Sequence, residues 1–195
     1  MSTLIIYIFI FLILSASLFI YFRLAEKFNI IDKPNQRSSH KQITIRGGGI
    51  IFFIGVLLYT FFFGIPNPYF IFGLSLISII SFLDDIFDVS SKIRITVHFV
   101  AMMLMFYDCG LYNLPWYYLV SALIVSTGII NAYNFMDGIN GITGGYSLIV
   151  IGSFWWINNH IHSFIDNYLL YVTIISLLIF IFFNFRKKAR CFAGD

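Results

Sequence analysis

Charged residues are scarce in this sequence. Asp, Glu, Lys and Arg together make up 11% of the 195 residues, whereas 59% are hydrophobic and 20% are aromatic. So little polar surface cannot coat a soluble globule, which excludes an ordinary soluble domain. The composition therefore predicts an integral membrane protein.

Cysteines are also few, and several common features are missing. The two cysteines, Cys109 and Cys191, are predicted to lie on opposite sides of a membrane, so we expect neither an intramolecular disulfide nor a cysteine-based metal site. The sequence has no internal repeat and no low-complexity linker, and nothing in it resembles a nucleic-acid-binding module. We therefore expect a single transmembrane domain over residues 1–195 and no nucleic-acid partner.

Apolar runs fill most of the chain. A helix needs about 20 apolar residues to cross the hydrocarbon of a bilayer, and several of these runs are somewhat shorter. They cover residues 4–22, 47–63, 69–83, 96–107, 116–130, 142–157 and 168–183. The runs predict an all-α, polytopic membrane helix bundle with about seven transmembrane helices.

The basic residues indicate how this bundle is oriented. Six lie between the first two runs or at their edges, two between the third and fourth, and four after the seventh, which accounts for all 12 Lys and Arg. If every run spans, these segments share one face, and the positive-inside rule makes that face cytoplasmic. Arg23 and Lys27 follow the first run and no basic residue precedes it, which favours an uncleaved helix over a secretory signal peptide. We predict an N-terminus outside and a cytoplasmic C-terminus.

Three aspartates end the third run. Asp84 and Asp88 are four residues apart and so share a helical face, while Asp85 points about 100° away. Mg²⁺ commonly takes one or two carboxylate oxygens and completes its octahedron with water and substrate phosphate. Lys92 and Arg94 follow closely as phosphate partners. We interpret this segment as a Mg²⁺ site at the membrane edge, the alternative being a helix end solvated by the cytosol.

A polar stripe precedes the sixth run. Asn131, Asn134 and Asp137 recur every three residues and are followed by Gly138 and Gly141. Amides and a carboxylate on one helical stripe can satisfy a planar base or a sugar, and the glycines let the backbone approach a ligand closely. We predict a ligand-binding stripe, the alternative being a helix end capped by glycine.

Two further segments combine basic residues with glycine. Residues 32–49, D-K-P-N-Q-R-S-S-H-K-Q-I-T-I-R-G-G-G, could hold a phosphate at Arg46 and the glycines, although the G-K-[ST] ending of a P-loop is missing. The glycines could equally serve close helix packing. The tail R-K-K-A-R-C-F-A-G-D, residues 186–195, would by itself be a solvated chain end.

These four segments together resemble, in order and spacing, the polyprenyl-phosphate sugar-1-phosphate transferases of glycosyltransferase family 4. That family includes undecaprenyl-phosphate N-acetylglucosamine-1-phosphate transferase and phospho-N-acetylmuramoyl-pentapeptide transferase. The matching motifs are D-x-P-N-x-R-S-x-H with R-G-G-G (32–49), D-D-x-x-D with K-I-R (84–94), N-x-x-N-x-x-D-G-I-N-G (131–141) and F-x-G-D (192–195). The resemblance covers the whole chain, and its first motif is most similar to the branch that initiates lipopolysaccharide O-antigen or capsule repeats.

The resemblance implies a reaction and its participants. A UDP-N-acetyl sugar would give its sugar-1-phosphate to undecaprenyl phosphate, with Mg²⁺, or alternatively Mn²⁺, as cofactor. The enzyme would be a multi-pass protein of the bacterial inner (cytoplasmic) membrane, in contact with membrane lipid, with its active site on the cytoplasmic face. It could also form a homodimer.

The resemblance also implies roles for individual residues. The catalytic residues would be Asp84, Asp85 and Asp137, with Asp84 or Asp85 as the candidate base. The metal ligands would be Asp85 and Asp195. The substrate-binding residues would be Arg46, Lys92, Arg94, Asn131, Asn134 and Asn140.

The chain departs from the family pattern at its end. In the family, F-x-G-D continues into further helices and a later cytoplasmic histidine motif, whereas this chain stops at Asp195. The N-H-I-H at residues 159–162 precedes F-x-G-D and is predicted to lie in an ordinary outer loop, so it is no substitute. We therefore expect the N-terminal portion of a longer fold, with weak or no activity by itself.

Three other functions are compatible with parts of the pattern. An intramembrane aromatic prenyltransferase also has aspartate-rich cytoplasmic motifs, but it would lack the asparagine stripe and ignore UDP-sugars. A cation carrier should place its carboxylates in mid-membrane, whereas here they are predicted at the cytoplasmic edge. A non-catalytic, truncated membrane protein would differ from the transferase only in its missing part.

Overall fold

The computed structural model describes residues 2–32, 43–87 and 89–194. Within these residues it contains seven α-helices: α1 (Thr3–Phe28), α2 (Ile50–Phe63), α3 (Pro68–Phe87), α4 (Ser91–Asp108), α5 (Trp116–Met136), α6 (Ile142–His160) and α7 (Asn167–Asn184). A short 3₁₀ helix, Leu111–Asn113, joins α4 to α5. The all-α prediction is confirmed, and each helix contains the apolar run predicted for it, except that residues 47–49 precede α2.

Four of the helices have the length and composition to cross a membrane: α1, α3, α5 and α7. The apolar helix α2 is shorter, at 14 residues. Large apolar side chains such as Phe61 and Ile149 point outward, and no residue of α5 is buried. Outward apolar surface suits lipid as the solvent, and the chain is a multi-pass membrane protein. The crossing of the membrane by α2, α4 and α6 stays a prediction.

A small antiparallel strand pair is a feature that the sequence does not predict. Strand β1 (Ile31–Asp32) pairs with β2 (Thr44–Ile45), with Ile31 opposite Ile45 and Asp32 opposite Thr44. Two-residue strands are too short to show the alternating pattern by which strands are recognised in a sequence. Residues 33–42, which include most of the first predicted motif, lie outside the described residues, as do Asp88 and Asp195.

The helices form two compact units. The first contains Met1–Gly64 and Asp137–Ala193, and the second contains Ile65–Met136 with Gly194–Asp195. The first unit thus holds α1, α2, α6, α7 and the strand pair, while the second holds α3, α4 and α5.

In the first unit, α7 packs against α1, α2 and α6. Helix α1 is apolar on all sides, yet it buries one stripe with a spacing of four residues: Ile10, Leu14, Leu18 and Phe22. The rings of Phe22 and Phe183 meet edge to face, with centroids 5.1 Å apart. Because lipid tails are as apolar as these side chains, tight packing rather than removal from water holds such helices together.

Small residues permit this packing. A Cβ at Gly55 of α2 would lie 2.6 Å from the Ser176 Oγ of α7, and one at Gly144 of α6 would lie 2.6 Å from Ile181 Cγ1. The start of α7 is capped by Asp166, whose carboxylate accepts hydrogen bonds from the Tyr168 backbone N–H (2.9 Å) and the Tyr59 hydroxyl (2.7 Å). The cap satisfies one of the free N–H groups at the helix start.

In the second unit, α3 and α4 form an antiparallel hairpin. A Cβ at Gly73 would lie 2.9 Å from the Ala101 carbonyl oxygen, so the two backbones approach closely there. At one end of the hairpin, Asp108 Oδ2 accepts a hydrogen bond from the Phe70 N–H at 2.7 Å. At the other end lie Asp84 and Asp85, and the hairpin places Asp84 beside Arg94 in the first turn of α4.

Candidate functional site

Two aspartates of the D-D-x-x-D motif, Asp84 and Asp85, lie near the end of α3. Asp84 is buried, with 6% of its surface exposed, and Asp85 beside it is half-buried. Arg94 Nη1, in the first turn of α4, forms an ion pair with Asp84 Oδ2. An ionised carboxylate in this position needs a cation partner, and the guanidinium supplies one. The hairpin thus brings Asp84, Asp85 and Arg94 together.

This pairing adds a second role to those predicted for Arg94 and Asp84. The sequence pattern predicts that Arg94 steadies a phosphate, but its guanidinium contacts the Asp84 carboxylate. The pair leaves Lys92, which is exposed on the same helix turn, as the basic side chain nearer to solvent. The predicted face shared by Asp84 and Asp88 involves a residue outside the described part of the chain.

The predicted polar stripe is shorter than expected. Asn131, which is exposed, and Asn134, which is half-buried, lie on α5, but the helix ends at Met136. Asp137 lies in the turn that follows, because Gly138 has a φ of +107° that a helix does not contain. Asn131 and Asn134 thus belong to one helix, and Asp137 directly follows its last residue, where the glycines are predicted to break the helix.

Asp137 instead joins the start of α6 to the end of the described chain. Its Oδ1 accepts a hydrogen bond from the Thr143 hydroxyl at 3.0 Å and one from the Ala193 N–H at 3.3 Å. A carboxylate that accepts backbone and side-chain donors is held in a fixed orientation. The residue for which the resemblance implies contact with the nucleotide-sugar thus also contacts the F-x-G-D motif.

The next polar residues of this motif bind the turn after α7. The Asn140 amide donates to the carbonyl oxygens of Arg186 at 2.8 Å and Lys187 at 3.3 Å. The Gly141 N–H donates to Asn184 Oδ1 at 2.8 Å, and Asn184 Nδ2 donates to the Cys191 carbonyl at 2.9 Å. Asn184 is fully buried at the end of α7 and connects the two segments.

The glycines of R-G-G-G bind the segment formed by residues 190–193, which we call the docked segment. The Phe192 N–H donates to the Ile45 carbonyl at 2.9 Å, while the N–H groups of Gly48 and Gly49 donate to the carbonyls of Phe192 and Ala193, both at 2.8 Å. Ile45 and Cys191 form a parallel bridge. The docked segment therefore extends the β1–β2 pair by a third, parallel strand-like edge.

Only glycine fits at these two positions. A Cβ at Gly48 would lie 2.9 Å from Cys191 Sγ and from the Phe192 oxygen, and one at Gly49 would lie 2.9 Å from the Ala193 oxygen. These glycines do not pack between helices: both precede α2, and the chain they approach closely is the docked segment. Before them, the Arg46 N–H donates to the Ile30 carbonyl at 3.2 Å, and its own carbonyl accepts from the Tyr21 hydroxyl.

Cys191 lies at the centre of this contact and has no exposed surface. Burial, and to a lesser extent the nearby carboxylate of Asp137, raise the pKa of its thiol to about 12, although Arg190 acts in the opposite direction. The side chain is consequently a neutral thiol at physiological pH. The sequence offers little sign of these roles beyond a lone asparagine at the end of an apolar run, Asn184, and a cysteine beside F-x-G-D.

The divalent cation that the resemblance implies would need ligands from substrate as well as from the described residues. Among them, no three His, Cys, Asp or Glu side chains are grouped so as to hold a metal. Mg²⁺ usually binds one or two carboxylates and takes its remaining ligands from water and substrate phosphate. The half-buried carboxylate of Asp85 beside the Asp84–Arg94 pair fits that mode, and Asp195 lies outside the described residues.

The predicted site residues are distributed over both units. The second unit holds Asp84, Asp85, Lys92, Arg94, Asn131 and Asn134, and the first unit holds Arg46, Asp137 and Asn140. Within the second unit the hairpin joins Asp84 to Arg94. Within the first unit, the turn with Asp137 and Asn140 meets the docked segment and its glycines.

The fold and these motifs define a multi-pass, all-α membrane protein with carboxylates, amides and basic residues clustered at helix ends. The family model of glycosyl transferase family 4 matches residues 67–195. The chain belongs to this family.

Individual relatives agree with this assignment. The chain is 37% identical over 172 residues to the undecaprenyl-phosphate α-N-acetylglucosaminyl 1-phosphate transferase of Yersinia pestis, an alignment that covers 78% of the chain and 46% of the relative. It is 29% identical to the protein of the same name from Escherichia coli O157:H7, over 93% of the chain and 55% of the relative. It is 28% identical to a probable transferase of this kind from Bacillus subtilis, over 89% and 52%. The chain spans about half the length of these relatives.

Proposed function

We propose that this chain provides part or all of a phosphotransferase that moves an N-acetylated sugar-1-phosphate from a UDP-sugar to undecaprenyl phosphate. The observation that carries the proposal is the match to the Yersinia pestis transferase over 78% of the chain. The family assignment of residues 67–195 supports it. N-acetylglucosamine is the sugar that the names of the relatives suggest, and initiation of an O-antigen or capsule repeat is the pathway we infer.

The reaction joins two anionic phosphates. An oxygen of undecaprenyl phosphate forms a bond to the sugar-bearing phosphorus of the UDP-sugar, the bond between the two phosphates of the nucleotide breaks, and UMP leaves with that electron pair. Charge repulsion is the main obstacle, so fixed cations contribute most by neutralising the phosphates. Bound Mg²⁺ would supply part of that charge and orient the phosphates.

We assign the residues of the second unit to the phosphates and the metal. Asp85 would hold the divalent cation together with Asp195. Arg94 would hold Asp84 through the ion pair seen in the structure, and Lys92 would face the phosphate from its exposed position. Asp84 and Asp85 remain the two candidates for the base that accepts a proton from the lipid phosphate.

We assign Asp137, Asn140, Asn131, Asn134 and Arg46 to the nucleotide-sugar. Asp137 and Asn140 are supported by their fixed orientation, since both are hydrogen-bonded within the first unit. The working face would be cytoplasmic, because all 12 basic residues fall on one side of the predicted topology. A bacterial inner membrane follows from the lipid substrate.

Binding of radiolabelled UDP-N-acetylglucosamine to the purified chain in lipid nanodiscs tests this proposal. We expect saturable binding that requires Mg²⁺, is displaced by UDP, and is weakened at least about tenfold by Asp137→Ala, because the loss of one charge-assisted contact costs about 1.5 kcal/mol or more. Glu26→Gln is the control, since Glu26 is exposed and only loosely paired with Arg190, at 3.8 Å.

The alternative functions give different results in the same assay. An aromatic prenyltransferase would bind a prenyl diphosphate and leave UDP-N-acetylglucosamine unbound. Saturable binding that survives Asp137→Ala unchanged would contradict the assigned site. Absence of UDP-sugar binding in a correctly inserted chain would contradict the proposed function.

A further inference from the structure

The docked segment forms hydrogen bonds with four residues to which the proposed reaction gives no role. Gly48 and Gly49 donate their backbone N–H groups to its carbonyls, Asn184 donates its amide to Cys191, and Ile45 accepts from Phe192. A fifth residue, Asp137, contacts the segment through its Oδ1, which accepts from the Ala193 N–H. The same carboxylate is therefore shared between the docked segment and the proposed nucleotide-sugar site.

We propose that Gly48, Gly49 and Asn184 are positioning residues that hold the docked segment, and through it Asp137, in the conformation that binds the nucleotide-sugar. This inference rests on the proposed function, because it names residues that act on the same site. The second and third glycines of the R-G-G-G motif thereby gain a specific role, which is to bind a segment of the protein's own chain.

The geometry favours docking over phosphate binding for these glycines. A glycine-rich turn can bind a phosphate only with N–H groups that are free to point at it. The N–H groups of Gly48 and Gly49 lie 2.8 Å from the carbonyl oxygens of Phe192 and Ala193, and the space that a Cβ would need is filled by the docked segment. Both N–H groups are already used.

Asn184 connects the docked segment to the loop that carries Asp137. Its Oδ1 accepts from Gly141 and its Nδ2 donates to Cys191, so one buried side chain fixes both segments at once. Gly141 has a φ of +82°, and a Cβ added at this position would lie 2.0 Å from the Phe185 ring. Glycine therefore allows the loop to pass close to the end of α7. A shift of the docked segment must therefore disturb the Asp137 loop as well.

Linkage makes the proposal quantitative. If docking strengthens the binding of the nucleotide-sugar by some factor, the nucleotide-sugar must strengthen docking by the same factor. Cys191 reports docking directly, because its side chain has no exposed surface while the segment is docked. Global unfolding also exposes Cys191 and is also suppressed by a ligand that binds the folded chain, so docking is reported by the part of the alkylation rate that exceeds the rate of global unfolding of the same variant.

The test measures Cys191 alkylation by a maleimide at pH 7 in the 195-residue chain carrying Cys109→Ser, which removes the exposed cysteine. Gly49→Val is expected to raise the alkylation rate about tenfold or more, and to weaken UDP-N-acetylglucosamine binding about fivefold or more in Mg²⁺. If docking strengthens nucleotide-sugar binding to this variant by a given factor, saturating nucleotide-sugar should slow the alkylation of Cys191 by that same factor. Gly152→Val is the control, because a Cβ at Gly152 meets nothing within 4 Å.

Gly49→Ala provides a second, milder variant if Gly49→Val does not fold. Its single added Cβ lies 2.9 Å from the Ala193 carbonyl oxygen, so it displaces the docked segment with less added volume, and we expect the same two changes in smaller size. Unchanged alkylation in these variants would overturn the docking, and faster alkylation with unchanged nucleotide affinity would overturn the positioning role. If the Cys109→Ser parent itself binds no UDP-N-acetylglucosamine, the proposed function fails first, and this inference fails with it.

Discussion

Arg94 reaches from the first turn of α4 to the carboxylate of Asp84 near the end of α3. Its side chain is 30% exposed and that of Asp84 is 7% exposed, so the pair is mostly shielded from water. Removing one member of such a pair leaves the other charge without compensation. The charge balance of these two residues therefore contributes to the stability of the helix hairpin.

We expect Arg94→Ala to destabilise the chain by about 1–3 kcal/mol, because Asp84 would remain buried without its cation. Lys92→Ala, on the same turn but exposed, should change stability by less than about 0.5 kcal/mol. Thermal unfolding in detergent, followed by tryptophan fluorescence, measures both. Equal effects of the two substitutions would contradict the role given to the ion pair.

The sequence predicts the individual charges but not this partnership. The spacing of four points to Asp84 and Asp88 as neighbours on a helix face, whereas the contact with Arg94 depends on the turn between α3 and α4. Turn geometry of this kind is not visible in helical periodicity. Asp84 and Asp85 are both predicted as site residues, yet their difference in burial emerges only from the packing of the hairpin.

Cys191 should make the stability depend on alkaline pH. The folded state raises the pKa of this thiol from 9.0 to about 12, so the folded chain favours the neutral thiol. Its contribution to stability is fully present below about pH 9 and is lost, at about 1.4 kcal/mol per pH unit, as the pH rises from 9 toward 12.

Between pH 9 and pH 12, the unfolding free energy of the wild type should therefore fall relative to that of Cys191→Ala, which has no thiol to ionise. Chemical denaturation of both chains at pH 8, 9.5 and 11 measures it, with Cys109→Ala as the control at an exposed position. A difference that stays constant with pH would mean that the thiol is not buried as described.

Among the elements, the seven helices are predictable from the apolar runs, because an apolar run bounded by polar turns is the strongest signal in a membrane chain. The strand pair and the docked segment are not predictable in this way. Ile45 and Cys191 are far apart in the sequence, and their pairing consists of a few backbone hydrogen bonds. Such contacts depend on the tertiary fold and leave no periodic pattern.

Glycines distinguish the packed helices from the outward one. We expect Gly73→Val to destabilise the second unit by about 1–3 kcal/mol, since a Cβ there would lie 2.9 Å from the Ala101 backbone oxygen. Gly128→Val in α5 carries the same intrinsic helix cost but meets nothing within 4 Å, so it should be tolerated. Thermal unfolding midpoints compare the two, and similar losses would contradict close contact between α3 and α4.

For the molecule as a whole, the distribution of charge predicts its orientation in the membrane. Cys109 should face the outside and the tail around Lys188 the cytoplasm, if all seven helices cross. A membrane-impermeant maleimide applied to intact cells should label Cys109 in wild type and should fail to label Lys188→Cys in a Cys109→Ser background. Lysed cells should label both. The reverse pattern in intact cells would overturn the predicted topology.

The proposed transferase depends above all on the aspartates at the end of α3, which we infer bind a divalent cation together with a UDP-sugar. Electron paramagnetic resonance of Mn²⁺ added to the purified chain tests this inference, because bound Mn²⁺ loses the six-line signal of the free ion. We predict that UDP-N-acetylglucosamine and the chain together remove far more free signal than either alone, that Asp85→Asn abolishes this excess, and that Glu26→Gln preserves it. If Asp85→Asn bound Mn²⁺ and the UDP-sugar as well as the wild type does, the assignment of the metal site would be wrong.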